Sequence, residues 1–385
     1  MGKKEQEYKG FEQGPIRPPS EAFSLLVRVT RNCPWNRCKF CPVYKGTRFS
    51  LRDPEHVKAD IDSVYNAIRL IENAAGSDGS VSRQKIYEIS QKVDKKDYAA
   101  FNAALNWMAS GMRSVFLQDA NSLIIKPDDL IGILAHLKMR FPMVERVTSY
   151  ARSHTICRIP AKKLAAIREA GLSRIHIGLE SGSDRVLEFV KKGVTKAEHI
   201  EAGIKVKEAG FELSEYVMPG LGGVDWSREH ALETADALNR INPDFIRLRT
   251  LAIPQGIPLY DDYMAGRFKK CTDMMVAREL LVFIEALDGI TSMVTSDHIL
   301  NLFSEVEGKL PDDKEKMTRA IDAFLAMDPS DQVLYQVGRR LTIFDSMDDM
   351  NDESKKARVR ALCEQAGVTP DNVDSVIEEA VNRFI

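Results

Sequence analysis

Three cysteines within nine residues form the most concentrated group of metal-binding side chains in this sequence. Cys33, Cys38 and Cys41 have the spacing C-x4-C-x2-C. Thiolates bind zinc or iron–sulfur clusters. A structural zinc site takes four ligands. The next cysteine along the chain is Cys157, and no histidine lies close to the three cysteines before His56. Three thiolates fit a [4Fe–4S] cluster in which one iron is left open for an exogenous ligand.

The remaining cysteines and the N-terminal sequence bear on the compartment. Cys157, Cys271 and Cys363 stand far apart, so we predict three small core residues rather than a disulfide framework. The first twenty residues are polar and lack the apolar region of a signal peptide. No run approaches eighteen apolar residues, so no transmembrane helix is expected. We therefore expect a cytoplasmic protein.

Length and composition exclude other classes of protein. A chain of 385 residues has room for two or three domains, or for one large barrel with additions. With 54 Lys and Arg against 56 Asp and Glu, the net charge of −2 gives no electrostatic footprint for nucleic acid or an anionic membrane. The 44% hydrophobic content excludes a disordered chain.

The elements that must position the cysteine loop alternate regularly between strand and helix. We predict six strands, at residues 24–30, 114–118, 145–150, 173–179, 211–217 and 245–251. Helical patterns lie between them, the clearest at 54–71, 127–140, 160–170, 195–209 and 227–240. This alternation is typical of right-handed βαβ units and a parallel sheet. The predicted fold class is α/β, with a partial (β/α)6 TIM-like barrel. The cysteines follow the first strand, at the barrel face that carries active sites.

The sequence divides into three predicted regions. Residues 1–20 are expected to be a polar, solvated tail, and residues 21–262 the core barrel. Residues 263–385 are expected to be mostly helical, with helices near 273–287, 313–327, 354–366 and 370–384. One exception is a possible extra strand at 290–295.

Five motifs, each after a predicted strand, resemble those of the radical S-adenosylmethionine (SAM) superfamily. The resemblance covers residues 24 to about 262, although the family's usual cysteine spacing is C-x3-C-x2-C. Besides the cysteine loop, the motifs are QDAN at 118–121, GLESGSD at 178–184, MPGLG at 218–222 and PQGIPLY at 254–260.

The resemblance implies a reaction and its cofactors. In this family three cysteines hold a [4Fe–4S] cluster, whose open iron is chelated by SAM. The reduced cluster cleaves SAM to a 5′-deoxyadenosyl radical, which abstracts hydrogen from a substrate. A one-electron donor of the flavodoxin or ferredoxin type is implied, because the sequence shows no second group of clustered cysteines. The substrate is not identified by the sequence.

The resemblance also implies a set of SAM-binding residues: Phe40, Asp119, Asn121, Arg152, Glu180, Ser181 and Gly220. Phe40 would pack near the adenine, Asp119 would accept from the amino group, and Arg152 would pair with the carboxylate. Other interpretations stay open. Asp119 and Asn121 could cap the helix that starts near residue 126, Arg152 could be a surface residue, and Glu180 could be an exposed acid at a helix N-terminus.

The candidate catalytic residues are Asp297 and His298. If the possible strand at 290–295 lies beside the sixth strand, both residues lie at the cluster face of the barrel. A histidine titrates near neutral pH, so this pair could bind a polar substrate or transfer a proton. Alternatively, Ser296 or Asp297 caps a helix that starts near Ile299.

Two other functions compete with the enzyme. One is a non-enzymatic iron–sulfur carrier or sensor, and the other is a binding scaffold stabilised by zinc. Neither needs a SAM pocket, so the motifs after the fourth, fifth and sixth strands favour the enzyme.

Overall fold

The computed structural model describes residues 7–76 and 79–381, and within these ranges its strands form two sheets. The eight-stranded sheet has the order β1-β4-β5-β6-β7-β8-β9-β10, and β2 pairs with β3 in a small ribbon. The strands are β1 (Leu25–Arg28), β2 (Thr30–Arg31), β3 (Ser50–Leu51), β4 (Ser114–Gln118), β5 (Arg146–Ala151), β6 (Arg174–Glu180), β7 (Glu212–Val217), β8 (Phe245–Leu248), β9 (Met293–Thr295) and β10 (Gly308–Lys309).

Helices separate most of the strands and make up most of the C-terminal region. They are α1 (Pro54–Glu72), α2 (Arg83–Ser90), α3 (Tyr98–Ala109), α4 (Pro127–Arg140), α5 (Ser153–Arg158), α6 (Ala161–Glu169), α7 (Asp184–Phe189), α8 (Lys196–Glu208), α9 (Gly223–Ile241), α10 (Pro258–Met264), α11 (Asp273–Ala286), α12 (Lys314–Leu325), α13 (Pro329–Arg340), α14 (Glu353–Ala366) and α15 (Val373–Val381). Short 3-10 turns lie at Pro19–Glu21, Ser122–Ile124 and Met347–Asn351.

The strand order confirms the predicted fold class. β1, β4 and β5 are parallel neighbours, as are β7, β8 and β9. β10 joins β9 in the antiparallel direction. All six predicted strands are present, and the possible strand at 290–295 is present as β9, parallel to β8. The fold is thus a mixed α/β fold with a partial TIM-like barrel, followed by a helical C-terminal region.

The chain divides into two compact units by its internal contacts. The first unit comprises the described parts of residues 1–36, 46–176 and 205–212. The second comprises the described parts of residues 37–45, 177–204 and 213–385. The division at residues 262 and 263 stays a prediction.

Helix α1 illustrates how the sequence builds the first unit. Asp53 accepts a hydrogen bond from the Glu55 amide, and Pro54 occupies the first helical position, where its missing N–H costs nothing. Its apolar residues recur every three or four positions, and all of these are buried: Val57, Ile61, Val64, Ile68 and Ile71. They pack the helix against α3 and α4.

Three expectations about the elements were wrong. After a break at residues 76–82, the sequence predicts a single helical stretch up to about Met112, but this stretch is two helices, α2 and α3. The helix α13 was missed. The described part of the N-terminal segment is only partly solvated. Phe11 is buried, the Tyr8 hydroxyl donates to Asp60 at 2.9 Å, and the Gly14 amide donates to Gln118 Oε1 at 2.8 Å. Burial of the aromatic side chains in this polar stretch contributes more favourable free energy than solvation of the segment does.

A buried carboxylate, Glu21, anchors the start of the barrel in the first unit. Ser24 donates to Glu21 Oε2 at 2.6 Å, and the Arg146 guanidinium lies 3.2 Å from the same atom. His176 Nε2 lies 3.7 Å from the other carboxylate oxygen. Burial alone would raise the pKa of Glu21, but His176, Ser24 and Arg146 together lower it to about 2.

Glu21→Gln is expected to lower the free energy of unfolding at neutral pH. The folded pKa lies below the unfolded value of 4.5, so the charged form contributes stability above about pH 4.5, which is lost as the pH falls towards 2. The shift corresponds to about 3 kcal/mol at most. Thermal unfolding of the wild type and the variant should show a difference in midpoint, a gap that narrows below about pH 4.5. A gap that is constant from neutral to acidic pH would contradict this origin.

Candidate active site

The cysteine loop is closed at its base by the β2–β3 ribbon. Thr30 pairs with Leu51 and Arg31 with Ser50, so the chain that leaves β2 returns to the same point at β3. Within the first unit, the Asn36 amide donates to Cys33 Sγ at 3.4 Å. None of the three loop cysteines forms a disulfide, and all three are partly exposed. The loop therefore presents three thiols as candidate ligands.

The donor set of the loop fits a [4Fe–4S] cluster. Among the described residues, no group of three or more His, Cys, Asp or Glu side chains is placed to hold a metal ion. A single ion needs ligands that meet at one point, whereas a cluster takes one thiolate on each of three irons. Three partly exposed thiols that form no disulfide are the ligands that the cluster requires.

The second half of the loop is held in the second unit. The Lys39 amide donates to the Val190 carbonyl at 2.8 Å, and the Leu259 amide donates to the Lys39 carbonyl at 3.1 Å. Lys39 Nζ also lies 2.7 Å from Asp262. These bonds join the loop to the motifs that follow β6 and β8.

Phe40 belongs to an apolar cluster that draws several motif segments together. The ring is 8% exposed. Cys38 and Cys41 pack against the cluster, whose buried members are Phe40, Val186, Val190, Leu221, Leu251, Ile253, Ile257, Leu259 and Phe268. The motifs that follow β6, β7 and β8 thus share one core beside two of the cysteines.

Glu180 forms an ion pair at the end of β6. Lys192 Nζ lies 3.1 Å from Glu180 Oε1, and each side chain is 13% exposed. A Cβ at Gly178 would overlap the Glu180 carboxylate, so glycine at this position leaves room for the pair. The backbone of Glu180 has φ 63°, a left-handed conformation that non-glycine residues seldom adopt. The alternative of an exposed acid at a helix N-terminus is wrong, since Ser183 caps α7.

Ser181 and Gly220 form hydrogen bonds within the second unit. The Ser181 hydroxyl is fully buried, shares a hydrogen bond with His230 Nδ1 at 2.8 Å and accepts from the Ser183 amide at 3.1 Å. The Gly220 amide donates to Glu279 at 2.6 Å, and its φ of 86° suits only glycine. The predicted SAM contact of the Ser181 side chain does not fit this burial. Both residues instead fix the turns after β6 and β7.

Asp119 is fully enclosed in the first unit. Its carboxylate accepts from Arg28 Nε at 2.8 Å and from the Asn32 amide at 2.9 Å. Gly14 packs so closely that a Cβ there would overlap the carboxylate. Asp119 therefore ties β1 and the start of the cysteine loop to the end of β4, and the predicted contact with the SAM amino group does not fit.

Asn121 and Arg152 join the loops that follow β4 and β5. Asn121 Nδ2 donates to Thr155 at 2.8 Å, and its Oδ1 accepts from the Arg152 amide at 3.1 Å. The Arg152 guanidinium lies 5.0 Å from the Trp35 ring of the cysteine loop. Neither Asp119 nor Asn121 caps α4, whose N-cap is Lys126 and has no side-chain cap.

Glu215 in β7 is a functional candidate that sequence reasoning missed. The side chain is fully buried, and neither carboxylate oxygen has a hydrogen-bond partner among the described residues. Burial raises the pKa of Glu215 well above its usual range; Lys192 opposes this rise and Glu180 adds to it. Burial therefore favours the protonated form of this carboxyl group. The sequence signal that could have identified Glu215 is a glutamate within a strand that is otherwise buried.

Asp297 and His298 follow β9, as predicted. Arg247 Nη1 lies 3.2 Å from the Asp297 carboxylate. Burial, together with the charge of Arg249, lowers the pKa of His298 to about 4. The expected titration near neutral pH is therefore wrong for His298. The capping alternative is wrong as well, because residues 299–300 form a turn and Ser296 donates to the Phe303 carbonyl at 2.5 Å.

Comparison with known proteins decides the family. The family model described as the radical SAM superfamily matches residues 27–235, more than half of the 385-residue chain. The chain belongs to the radical SAM superfamily. Radical SAM proteins use a [4Fe–4S] cluster and SAM, so the chain is an enzyme with these cofactors, as predicted.

Curated relatives match a short segment. A tRNA uridine(34) acetyltransferase of Methanocaldococcus jannaschii is 26% identical over 113 residues, which cover 28% of this chain and 20% of that protein. An uncharacterized methyltransferase of Pyrococcus horikoshii is 29% identical over 107 residues, covering 28% and 22%. The matched segment thus spans about a fifth of either relative's length.

Solved radical SAM structures are similar over more of the chain, with low identity. Coproporphyrinogen III oxidase (HemN) from Escherichia coli is 15% identical, with 68% of this chain and 52% of that chain covered and a TM-score of 0.41. The methyltransferase TsrM from Kitasatospora setae is 13% identical, with 88% and 61% covered and a TM-score of 0.43. In residues 7–76 and 79–381, no helix has the length and apolar character needed to cross a membrane.

Proposed function

We propose that this radical SAM enzyme abstracts a hydrogen atom from an organic substrate, with Cys33, Cys38 and Cys41 as the cluster ligands. When bound, the reduced cluster would supply the electron that cleaves SAM to a 5′-deoxyadenosyl radical. The observation that carries the proposal is the loop of three partly exposed thiols, none of them in a disulfide, inside the segment matched by the family model. Formation of 5′-deoxyadenosine by the reconstituted protein tests it.

Glu180 is the leading candidate for a polar contact with SAM. Its carboxylate is mostly buried but not enclosed, and Glu180 is the last residue of β6, at the C-terminal end of a barrel strand. A carboxylate there can accept hydrogen bonds from hydroxyl or ammonium groups. Lys192 would hold the carboxylate in place, and Arg152 would pair with the SAM carboxylate.

The other predicted cofactor residues would act on the shape of the site. Phe40 would offer an apolar surface to the adenine from the cluster against which Cys38 and Cys41 pack. Asp119, Asn121, Ser181 and Gly220 are positioning residues in this proposal, because their polar groups already bond within the chain. They would fix the turns that hold Arg152 and Glu180.

Proton handling would fall to Glu215 rather than to His298. A buried carboxyl group whose protonated form is favoured can donate a hydrogen bond to a ligand, or give up a proton when a ligand changes its surroundings. Asp297 and His298 would take part in catalysis by binding the substrate, with the neutral His298 ring as hydrogen-bond acceptor or donor.

The state of His298 can be tested directly. The imidazole is expected to stay neutral from about pH 5 to pH 8, because its pKa is lowered to about 4. An NMR titration should show its ring resonance, assigned by its disappearance in His298→Ala, unchanged over this range. An inflection near 6.5 would instead restore His298 as a proton-transfer group at neutral pH.

The electron would come from a separate protein. Outside the cysteine loop, Cys271 and Cys363 are buried and Cys157 stands alone in the sequence, so they do not form a second cluster site. A flavodoxin or ferredoxin would supply one electron at a time, as the reaction requires. A cytoplasmic location would suit this partner and keep the thiols reduced.

The competing function is an iron–sulfur carrier or sensor. A carrier has no SAM to bind, so it needs neither a carboxylate for SAM at Glu180 nor the motifs that follow β6, β7 and β8. A protein that holds the cluster but gives no 5′-deoxyadenosine after reduction would favour the carrier.

A further inference from the structure

A cavity of about 510 Å³ lies in the first unit, beside the cysteine loop. Pro34 and Trp35 form one side, the segment 121–127 a second, and residues 152–160 a third. Cavities of this size bind small organic molecules in many proteins. Two of the predicted SAM residues, Asn121 and Arg152, line the cavity, and the Asn121 side chain already bonds within the chain.

The ionisable side chains that line the cavity are basic. Lys126, Arg152, His154 and Arg158 line it, and no aspartate or glutamate does. Elsewhere in the first unit, arginines and lysines commonly have acidic partners, as Arg140 does in Asp62 at 2.6 Å. Within the described residues, the exposed side chains of Lys126 and Arg158 have neither a hydrogen bond nor an ion pair. Two cations that line one cavity without an anion favour an anionic ligand.

The position of Lys126 strengthens this inference. Lys126 is the N-cap residue of α4, which has no side-chain cap. A lysine cannot cap a helix N-terminus, and a positive charge is unfavourable there because the helix dipole is positive at that end. Asp128 and Asp129 in the first turn offset part of this cost, and a bound anion between the Lys126 ammonium and Arg158 would offset the rest.

The rest of the lining is apolar and includes one aromatic face. Leu123, Ile125 and Ile159 are buried in the wall, while Ile124 is 37% exposed. The Trp35 ring lies under the Arg152 guanidinium, 5.0 Å away. Such walls suit a flat, apolar ligand body.

We propose that this cavity binds an organic anion with a flat apolar body and a phosphate or carboxylate group. Lys126 and Arg158 hold the anionic group, and Trp35 and the isoleucines contact the body. The binding itself does not depend on radical chemistry. Only the further step, that the bound anion is the substrate class of the enzyme, rests on the proposed function.

Equilibrium dialysis of the anaerobically reconstituted protein tests the site with three matched probes: 1-naphthyl phosphate, 1-naphthoate and neutral 1-naphthol. At least one anion is expected to bind, one molecule per chain, about tenfold more tightly than naphthol. The double variant Lys126→Ala/Arg158→Ala should lose about tenfold in affinity for the anion and keep the affinity for naphthol. The stronger of the two anions identifies the phosphate or carboxylate preference.

The control is Lys92→Ala/Lys138→Ala, which removes two exposed cations of the same unit that do not line the cavity. It should bind all three probes as the wild type does, and thermal midpoints confirm that both double variants fold. Equal affinity for the three probes, no binding of either anion, or an unchanged affinity in Lys126→Ala/Arg158→Ala would overturn the proposal. Formation of 5′-deoxyadenosine is measured separately, so failure of the site is distinct from failure of the reaction.

Discussion

Replacing Cys33, Cys38 or Cys41 by alanine is expected to remove most of the iron and sulfide from the reconstituted protein. The wild type should hold about four irons and four sulfides per chain, bound by three thiolates. With one thiolate missing, one more iron loses its protein ligand and the cluster is no longer retained. Iron and labile sulfide assays after desalting under anaerobic conditions measure the loss.

The control is the set of three remaining cysteines. Burial raises the pKa of Cys271 to about 12 and also raises that of Cys363, so both thiols resist the deprotonation that ligation requires. Cys157→Ala, Cys271→Ala and Cys363→Ala should each keep the cluster. Loss of the cluster in one of them would show a wrong ligand set. Zinc without labile sulfide in protein purified without oxygen would contradict the cluster itself.

Glu180→Ala is expected to weaken SAM binding by about one to two decades while the cluster survives. A hydrogen bond to a charged group contributes about 1.5–3 kcal/mol, which corresponds to this range of affinity. The variant also leaves Lys192 without its carboxylate, so Glu180→Gln, which keeps the size of the side chain, is measured beside it. SAM affinity is read by equilibrium dialysis and iron content on the same sample.

Two further variants distinguish an effect of the carboxylate's position on SAM affinity from a general loss of structure. In Gly178→Ala the new Cβ displaces the Glu180 carboxylate, so SAM affinity should fall although the carboxylate is still present. Glu212→Ala breaks a comparable ion pair, with Arg174 at 2.7 Å, in the first unit, and should leave SAM affinity unchanged. Wild-type affinity in both Glu180→Ala and Gly178→Ala would reduce Glu180 to a structural residue.

The sequence predicted elements well where local signals and burial agree. β4 (Ser114–Gln118) and α4 (Pro127–Arg140) have the bounds that we predicted. In α4, a proline at the first helical position and a regular apolar face indicate the same element. Helix α13 has a similar start at Pro329 and buries Val333, Leu334 and Val337, but its polar residues obscured the pattern.

The side-chain partners of the candidate site were not predictable in the same way. Asp119 and Ser181 have residue types suited to ligand binding, yet their partners come from distant parts of the chain: Arg28 for Asp119 and His230 for Ser181. The low pKa of His298 likewise depends on Arg249 and on burial, neither of which spacing shows. Residue type and spacing predicted the three cysteines as ligands. The roles of the other candidate residues depend on their burial and their hydrogen-bond partners.

The most direct test of the account is the formation of 5′-deoxyadenosine. The protein is reconstituted with iron and sulfide without oxygen, reduced with dithionite, incubated with SAM and analysed by chromatography and mass spectrometry. We predict 5′-deoxyadenosine that depends on protein, reductant and SAM and that is absent with Cys38→Ala. A protein that holds a full cluster and binds SAM but yields no 5′-deoxyadenosine above the Cys38→Ala background would contradict the proposed reaction.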